Sequence, residues 1–215
     1  MHLHQFWTLS SPHPELYAHT TFGPYSSAQE LNDDFFAPRM ANRMSVVFAV
    51  IDRTQKPTSS DHGIADGGNG GVVAGIMGYL NSEPVNLSTE IGFMFTLPGF
   101  QRKRIASTGV GLLLQYALES VEKGGLGLRR VQWQTSAENL ASRYLAEGMG
   151  FRFEGILRWQ RIFPGGKKKG KVGNGGGDPP GGKAEDLGRH TTMLGIGWDD
   201  WENGERERVC GLLDR

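Results

Sequence analysis

The stretch GFQRKRIAST, residues 99–108, sets three cations directly before two hydroxyl residues and then runs into VGLLLQYALESV. Val110, Leu113, Leu114, Ala117 and Val121 recur at the i, i+3, i+4, i+7 rhythm of an amphipathic helix, and Gly124-Gly125 end it. The positive pole of that helix disfavours Arg102, Lys103 and Arg104 at its start. A strongly negative ligand such as a pyrophosphate resolves the conflict. A helix start gathers unpaired N–H groups, cations add charge-assisted contacts to phosphate oxygens, and Ser107 and Thr108 supply hydroxyls. The alternative is a solvated basic turn.

Working outward, the elements fall into a regular order. SSAQELNDDFFA (26–37) reads as a short capped helix. MSVVFAVID (44–52) reads as a buried strand and VVAGIMGYL (72–80) as its hairpin partner, with STEIGFMFTL (88–97) a third strand stopped by Pro98-Gly99. LRRVQWQT (128–135) alternates as a strand. AENLASRYLAEG (137–148) reads as a helix with Leu140, Ala141, Tyr144 and Leu145 inward, followed by strands at 150–163 and 190–201. This order predicts a mixed α/β sheet with helices packed against it.

Composition limits the function. The 215 residues suit one domain, and 23 cations against 23 anions give no global field for nucleic acid or membrane. One cysteine, Cys210, rules out an internal disulfide and suits an intracellular, cytoplasmic protein. The first residues lack the pattern of a secretory signal, and the run VVFAVI (46–51) is too short to span a bilayer. Glycine is concentrated in two segments, expected to be flexible insertions at about 56–71 and 164–187. A single domain over 1–203 is expected, with 204–215 a tail. His2 and His4, on a terminus expected to fray, lack further metal ligands, so no metal is expected. Trp133, Trp159, Trp198 and Trp201 read as sheet and core residues.

The segment Gln101-Arg102-Lys103-Arg104-Ile105-Ala106 resembles the acyl-CoA signature Q/R-x-x-G-x-G/A of the GNAT superfamily of N-acetyltransferases. TEIGFMFTLPGFQR, NLASRYLAEGMGFRFEG and GRHTTMLGIGWDDW agree with it in order and spacing, and together they resemble the ribosomal-protein-acetyltransferase-like (RimJ/RimL-type) branch. The resemblance covers roughly 22–163 and 188–201. It implies the GNAT fold, an α/β (α+β) arrangement with a mixed, mostly antiparallel central sheet and helices on both faces. It also implies acetyl-CoA as acetyl donor, held in a V-shaped gap between the strands at 88–97 and 128–135. Backbone groups from Arg102 to Thr108, including those of Ile105, Ala106 and Ser107, would face the pyrophosphate, with Gln101, Lys103 and Arg104 in the same loop. Phe95 and Thr96 would pair with the pantetheine arm or polarise the thioester carbonyl, and Asn139 and Arg143 would lie along the cofactor. One departure is Arg104, which stands where the signature has its first glycine; a positive φ there would count against the cofactor assignment.

The same resemblance implies direct transfer of acetyl to a primary amine, either a protein N-terminus or a small-molecule amine, by a monomer or homodimer. Glu90 is the candidate base, directly or through water, against the reading of an ordinary carboxylate near a loop. The tyrosine that many members place four residues before the glycine of the G-F pair is Ala146 here. Tyr144, on the opposite side of the helix and among residues expected to be buried, does not replace it. Ser142, sharing a face with Asn139, Arg143 and Ala146, is the candidate to protonate the leaving thiolate. A catalytically silent acyl-CoA-binding module of the same fold is the competing reading.

Overall fold

A computed structural model describes residues 2–55, 70–177 and 179–214. The glycine segment expected at 56–71 falls almost entirely outside these described residues. The chain opens with helix α1 (Leu3–Ser10), where Phe6 is buried, so the terminus expected to fray is instead packed by an aromatic anchor. Helices α2 (Ala28–Leu31) and α3 (Ala37–Ala41) flank a π turn (Asn32–Phe36), and Ser27 caps α2 by accepting from the Glu30 N–H. Strands β1 (Val46–Asp52), β2 (Val72–Glu83) and β3 (Ser88–Thr96) lead to helix α4 (Ile105–Leu118). Then follow β4 (Arg130–Ser136), α5 (Leu140–Gly148), β5 (Arg152–Phe163) and β6 (Leu187–Gly197). A short helix α6 (Trp198–Asp200) and helix α7 (Arg206–Leu213) close the described chain.

The six strands form one sheet in the order β1-β2-β3-β4-β6-β5. Every neighbouring pair is antiparallel except β3 and β4, which run parallel. Strand β2 is buried on both faces, because two cores flank it. One core packs Met77, Tyr79, Ile91, Val131, Trp133 and Leu194 with α4 residues and Val209 of α7. The other packs Phe6, Tyr17, Leu31 and Phe35 of the N-terminal segment against Val73, Ile76 and Phe95. Helices therefore cover both faces, as the family resemblance implies. Strand β1 differs from expectation: it is the sheet edge, with Val46 and Phe48 exposed, so MSVVFAVID is not a buried strand.

Helix α5 presents a different face from the one expected. Ala146 and Met149 are buried, whereas Leu140 is 51% and Tyr144 62% exposed. The cause is Trp133 on β4. Its indole lies beneath the helix, so the small residues Ser142 and Ala146 face it and Leu140 and Tyr144 turn outward, while Leu145 packs partly buried against the core as expected. Tyr144 is thus removed from the sheet by exposure, not by burial. Trp133 and Trp201 are core residues as expected, while Trp159 and Trp198 are half-exposed.

The glycine- and lysine-rich segment is fastened both to β6, where the Asn174 N–H donates to the Gly188 carbonyl at 2.9 Å, and to the N-terminal segment. The Lys171 ammonium is buried and donates to the Tyr17 carbonyl at 2.8 Å and the Phe22 carbonyl at 2.7 Å, and the Val172 N–H donates to the Ala18 carbonyl. Helix α7 occupies the residues expected to be a tail, and Val209 packs into the core beside α4. No helix among the described residues is long and apolar enough to cross a membrane.

Candidate active site

Strands β3 and β4 pair only from Ser88↔Arg130 to Ile91↔Trp133, and beyond that point they part. On its other edge β3 carries a bulge: Gly92 pairs with Gly78 and Phe95 with Ile76, so Phe93 and Met94 together oppose Met77. Phe93 holds a left-handed φ of 57° there. A bulge bends its strand, and this one lies where β3 leaves β4. The opening is a cleft of about 380 Å³ whose wall includes Phe22, Glu90, residues 93–95, residues 133–136, Asn139, Ser142, Arg161 and Arg189. A larger hollow of about 520 Å³ lies beside Trp159, Ile162, Pro179 and Leu187. The carboxylate and hydroxyl proposed for chemistry line the first cleft, so the first is the candidate site.

Beyond the bulge the backbone parity of β3 is fixed by its partner. The Leu97 N–H donates to the Ala74 carbonyl at 2.9 Å, and the Phe95 carbonyl points at Gly75, where an added Cβ would lie 2.0 Å from it. Alternation then turns the Thr96 backbone groups towards the cleft. The Thr96 carbonyl accepts from Gln101 Nε2 at 3.1 Å, which ties the end of the strand to the following loop. Phe95 itself is buried, and its ring packs at 5.1 Å from that of Tyr17.

Glu90 is buried on β3. Its Oε2 accepts from Asn81 Nδ2 at 2.9 Å and from Gln134 Nε2 at 2.8 Å. Burial raises its pKa above the usual carboxylate value, and the two amide donors and the charges of Arg161 and Arg189 only partly oppose this. Such a carboxylate is more basic than one in water. On the other side of the sheet, Ser142 Oγ accepts from Trp133 Nε1 at 3.0 Å. That bond leaves the hydroxyl proton of Ser142 to point elsewhere, and no acceptor for it stands among the described residues. Asn139, also at the cleft wall, caps α5 by accepting from the Ser142 N–H at 3.2 Å.

The loop before α4 is a run of backbone donors. The first N–H bonded within the helix is that of Thr108, to the Arg104 carbonyl, so the N–H groups of Ile105, Ala106 and Ser107 have no acceptor among the described residues. Arg102 and Arg104 both take left-handed φ, 59° and 63°. Alternating backbone conformations of this kind turn successive N–H groups to one side and make an anion-binding nest. The residue standing in the glycine place of the signature therefore does need positive φ and adopts it without being glycine. That positive φ is the departure that counts against the cofactor assignment, and beside it stand the unpaired backbone N–H groups of Ile105, Ala106 and Ser107.

The side chains of this loop divide. Arg102 has no partner among the described residues, and Lys103 Nζ lies 5.8 Å from the Phe100 ring. The Arg104 guanidinium donates to the Leu212 carbonyl at the end of α7, and the Ser107 hydroxyl donates to the Arg104 carbonyl. Arg143 is not brought to the cleft: it pairs with Glu147 at 2.8 Å and lies 4.8 Å from the centre of the Phe153 ring. Sequence reasoning missed Asn81, Gln134, Arg161, Arg189 and His19. Gln134 had a signal, since it alternates with Gln132 in VQWQT and so declares a polar face. No group of residues able to hold a metal ion occurs among the described residues.

Comparison with known proteins bears on the fold and the family. Residues 3–152 match the acetyltransferase (GNAT) domain family. No curated protein matches the chain. Among solved structures, a probable GNAT-family acetyltransferase from Chromobacterium violaceum is 23% identical with a TM-score of 0.69, covering 94% of this chain and 80% of its own. A GCN5-related N-acetyltransferase from Brucella melitensis is 23% identical with a TM-score of 0.71, covering 98% and 77%. A spermidine N-acetyltransferase from Vibrio cholerae, in complex with CoA and spermine, is 17% identical with a TM-score of 0.62, covering 94% and 93%. At these identities the solved structures speak for the fold, and the domain match, which spans most of the chain, makes this protein a member of the GNAT acetyltransferase family.

Proposed function

We propose that this protein transfers an acetyl group from acetyl-CoA directly to a primary amine, in the manner of the RimJ/RimL-type branch. The observation that carries the reading is the buried Glu90 carboxylate, held by Asn81 and Gln134 at the mouth of the β3–β4 gap. The unpaired N–H groups of Ile105, Ala106 and Ser107 and the cations Arg102 and Lys103 fit a diphosphate, and the open edge of β3 at Thr96 fits an extended amide chain. Arg143 and the Thr108 N–H, already engaged elsewhere, contribute less than the sequence suggested.

In this scheme Glu90 takes the proton of the acceptor ammonium, directly or through one water, leaving a nucleophilic amine. A backbone N–H at Thr96 stabilises the oxyanion as the amine adds to the thioester carbonyl. As the C–S bond breaks, the adduct nitrogen gives up its second proton and the thiolate gains one, with the Ser142 hydroxyl hydrogen-bonded to the sulfur and relaying that proton, so the serine ends unchanged. The amide product keeps the acetyl group, and CoA leaves as the thiol. A thermal shift with acetyl-CoA followed by amine-dependent release of CoA thiol tests the reading. No shift at millimolar acetyl-CoA removes it, and a shift with no thiol release across an amine panel makes the protein a silent acyl-CoA binder.

A further inference from the structure

We infer, resting on the acetyl-transfer reading above, that the acceptor is an amine that also carries a carboxylate, seated between Glu90 and a facing pair of arginines, Arg161 and Arg189. The register places these groups on one face of the sheet. Glu90 lies beside Gln132 and bonds Gln134, Gln134 faces Met193 across β4–β6, and Arg189 is an even number of residues from Met193 on β6. Arg161 faces Arg189 directly across β5–β6. Both arginines and Glu90 line the same cleft.

Two like charges directly opposite on adjacent strands repel each other. Folded proteins ordinarily relieve such a pair with a carboxylate, yet neither arginine makes an ion pair among the described residues. Arg189 Nε is buried without a hydrogen-bond partner, and so is Nδ1 of His19, another residue of the cleft wall. Arg189 is half-buried and its unused Nε donor is costly unless an acceptor meets it, whereas Arg161 is exposed and keeps its charge at the open side of the cleft. Glu90 fills that role only in part: the arginine charges act on its carboxyl, but no ion pair joins them among the described residues and its Oε2 accepts from two amides instead. The third arginine of the wall, Arg39, is spent on structure: its guanidinium lies 4.0 Å from the Phe35 ring centre and donates to the Phe35 carbonyl.

The cleft thus has one anionic group for an ammonium and two cationic groups for a carboxylate. A free amino-acid-like amine and an acidic residue at a peptide N-terminus share that chemistry. A polyamine does not, since its further cations would meet the arginine pair.

The test is calorimetric, on the CoA-saturated protein, with matched ligands: γ-aminobutyrate against butylamine, an Asp-led tetrapeptide against its Ala-led counterpart, and spermidine. Wild type is compared with Arg161→Gln, Arg189→Gln and the double variant. The carboxylate-bearing member of at least one pair should bind about ten-fold or more tighter, the double variant should reduce that preference to about two-fold, and CoA affinity should stay unchanged. Whichever pair shows the preference identifies the source as a free amine or an acidic N-terminus. Equal or tighter binding of butylamine, the Ala-led peptide or spermidine overturns the inference. So does a double variant that keeps the preference or loses CoA affinity instead. Should the double variant not fold, the wild-type pairs and the single variants decide. Because binding is read, carboxylate selectivity without turnover would sink the transferase reading and leave this site standing.

Discussion

The Trp133 indole N–H donates to Ser142 Oγ at 3.0 Å, linking a buried core residue of β4 to the hydroxyl proposed to meet the leaving thiolate. The bond fixes the rotamer of Ser142 and polarises its remaining proton. Ser142→Ala should therefore lower kcat about ten-fold with little change in acetyl-CoA affinity. It should also cost roughly 1–3 kcal/mol of stability, since the indole N–H loses its acceptor. Steady-state kinetics and thermal denaturation read the two effects; an unchanged kcat returns Ser142 to a purely structural role.

Glu90→Gln should reduce kcat by about a hundred-fold while sparing acetyl-CoA binding. Stability should change in the opposite sense. Because the folded-state pKa of Glu90 is raised, the native state holds the proton to higher pH than the unfolded chain does. Wild-type stability from this group is then full at low pH and lost as pH rises through the raised pKa. Glutamine pays no such penalty, so the variant's melting temperature should exceed that of wild type near neutral pH. The difference should shrink on acidification below the ordinary carboxylate range. Melting curves across that window check the sign.

Replacing Arg102 and Lys103 together with Ala should weaken CoA binding roughly ten-fold, since exposed charge-assisted contacts are screened by solvent. The wild-type affinity should fall with added salt, and that of the variant less steeply. Equal affinity and equal salt slope would make these residues a solvated helix start.

Position 104 separates backbone from side chain. Arg104→Ala loses the bond to the Leu212 carbonyl and keeps a left-handed φ of 63°, whereas Arg104→Gly loses the bond but relieves the backbone. The glycine variant should be the more stable of the two by about 1 kcal/mol. Equal melting temperatures would mean that the left-handed turn costs nothing.

Lys171→Met should destabilise by roughly 2 kcal/mol, because the Tyr17 and Phe22 carbonyls lose a shared charged donor. Exchanging residues 165–187 for a short linker should cost at least as much. A linker variant as stable as wild type would show that Lys171 only covers groups that water serves equally well.

The order of strands and helices from 26 to 197 was legible because each element carries its own period, whereas the terminal helices were read as a fraying end and a tail, and the central helix stops at Leu118 and leaves Val121 exposed instead of running to Gly124. Glu90 was legible only through resemblance, since nothing local distinguishes it from other strand carboxylates. The inner face of α5 was misread because its choice of small residues answers Trp133, a residue on another element. Arg161 and Arg189 could not be joined by inspection: their meeting depends on a β5–β6 register set across the whole glycine-rich segment. The Lys171 contact with the N-terminal segment is hidden for the same reason.

The bulge at Phe93 and Met94 gives the cleft an unusual kind of genetic vulnerability. Its opening is written as a count of residues between two paired positions, Gly92 and Phe95, and not as the identity of any one side chain. Many side chains at these two positions would preserve the count and hence the groove. Loss of a single codon there would restore one-for-one pairing with β2, straighten β3 towards β4 and narrow the passage without touching Glu90 or Ser142. Frame-preserving deletions in this short interval are therefore a more direct route to a folded but inactive protein than most point changes in the site itself.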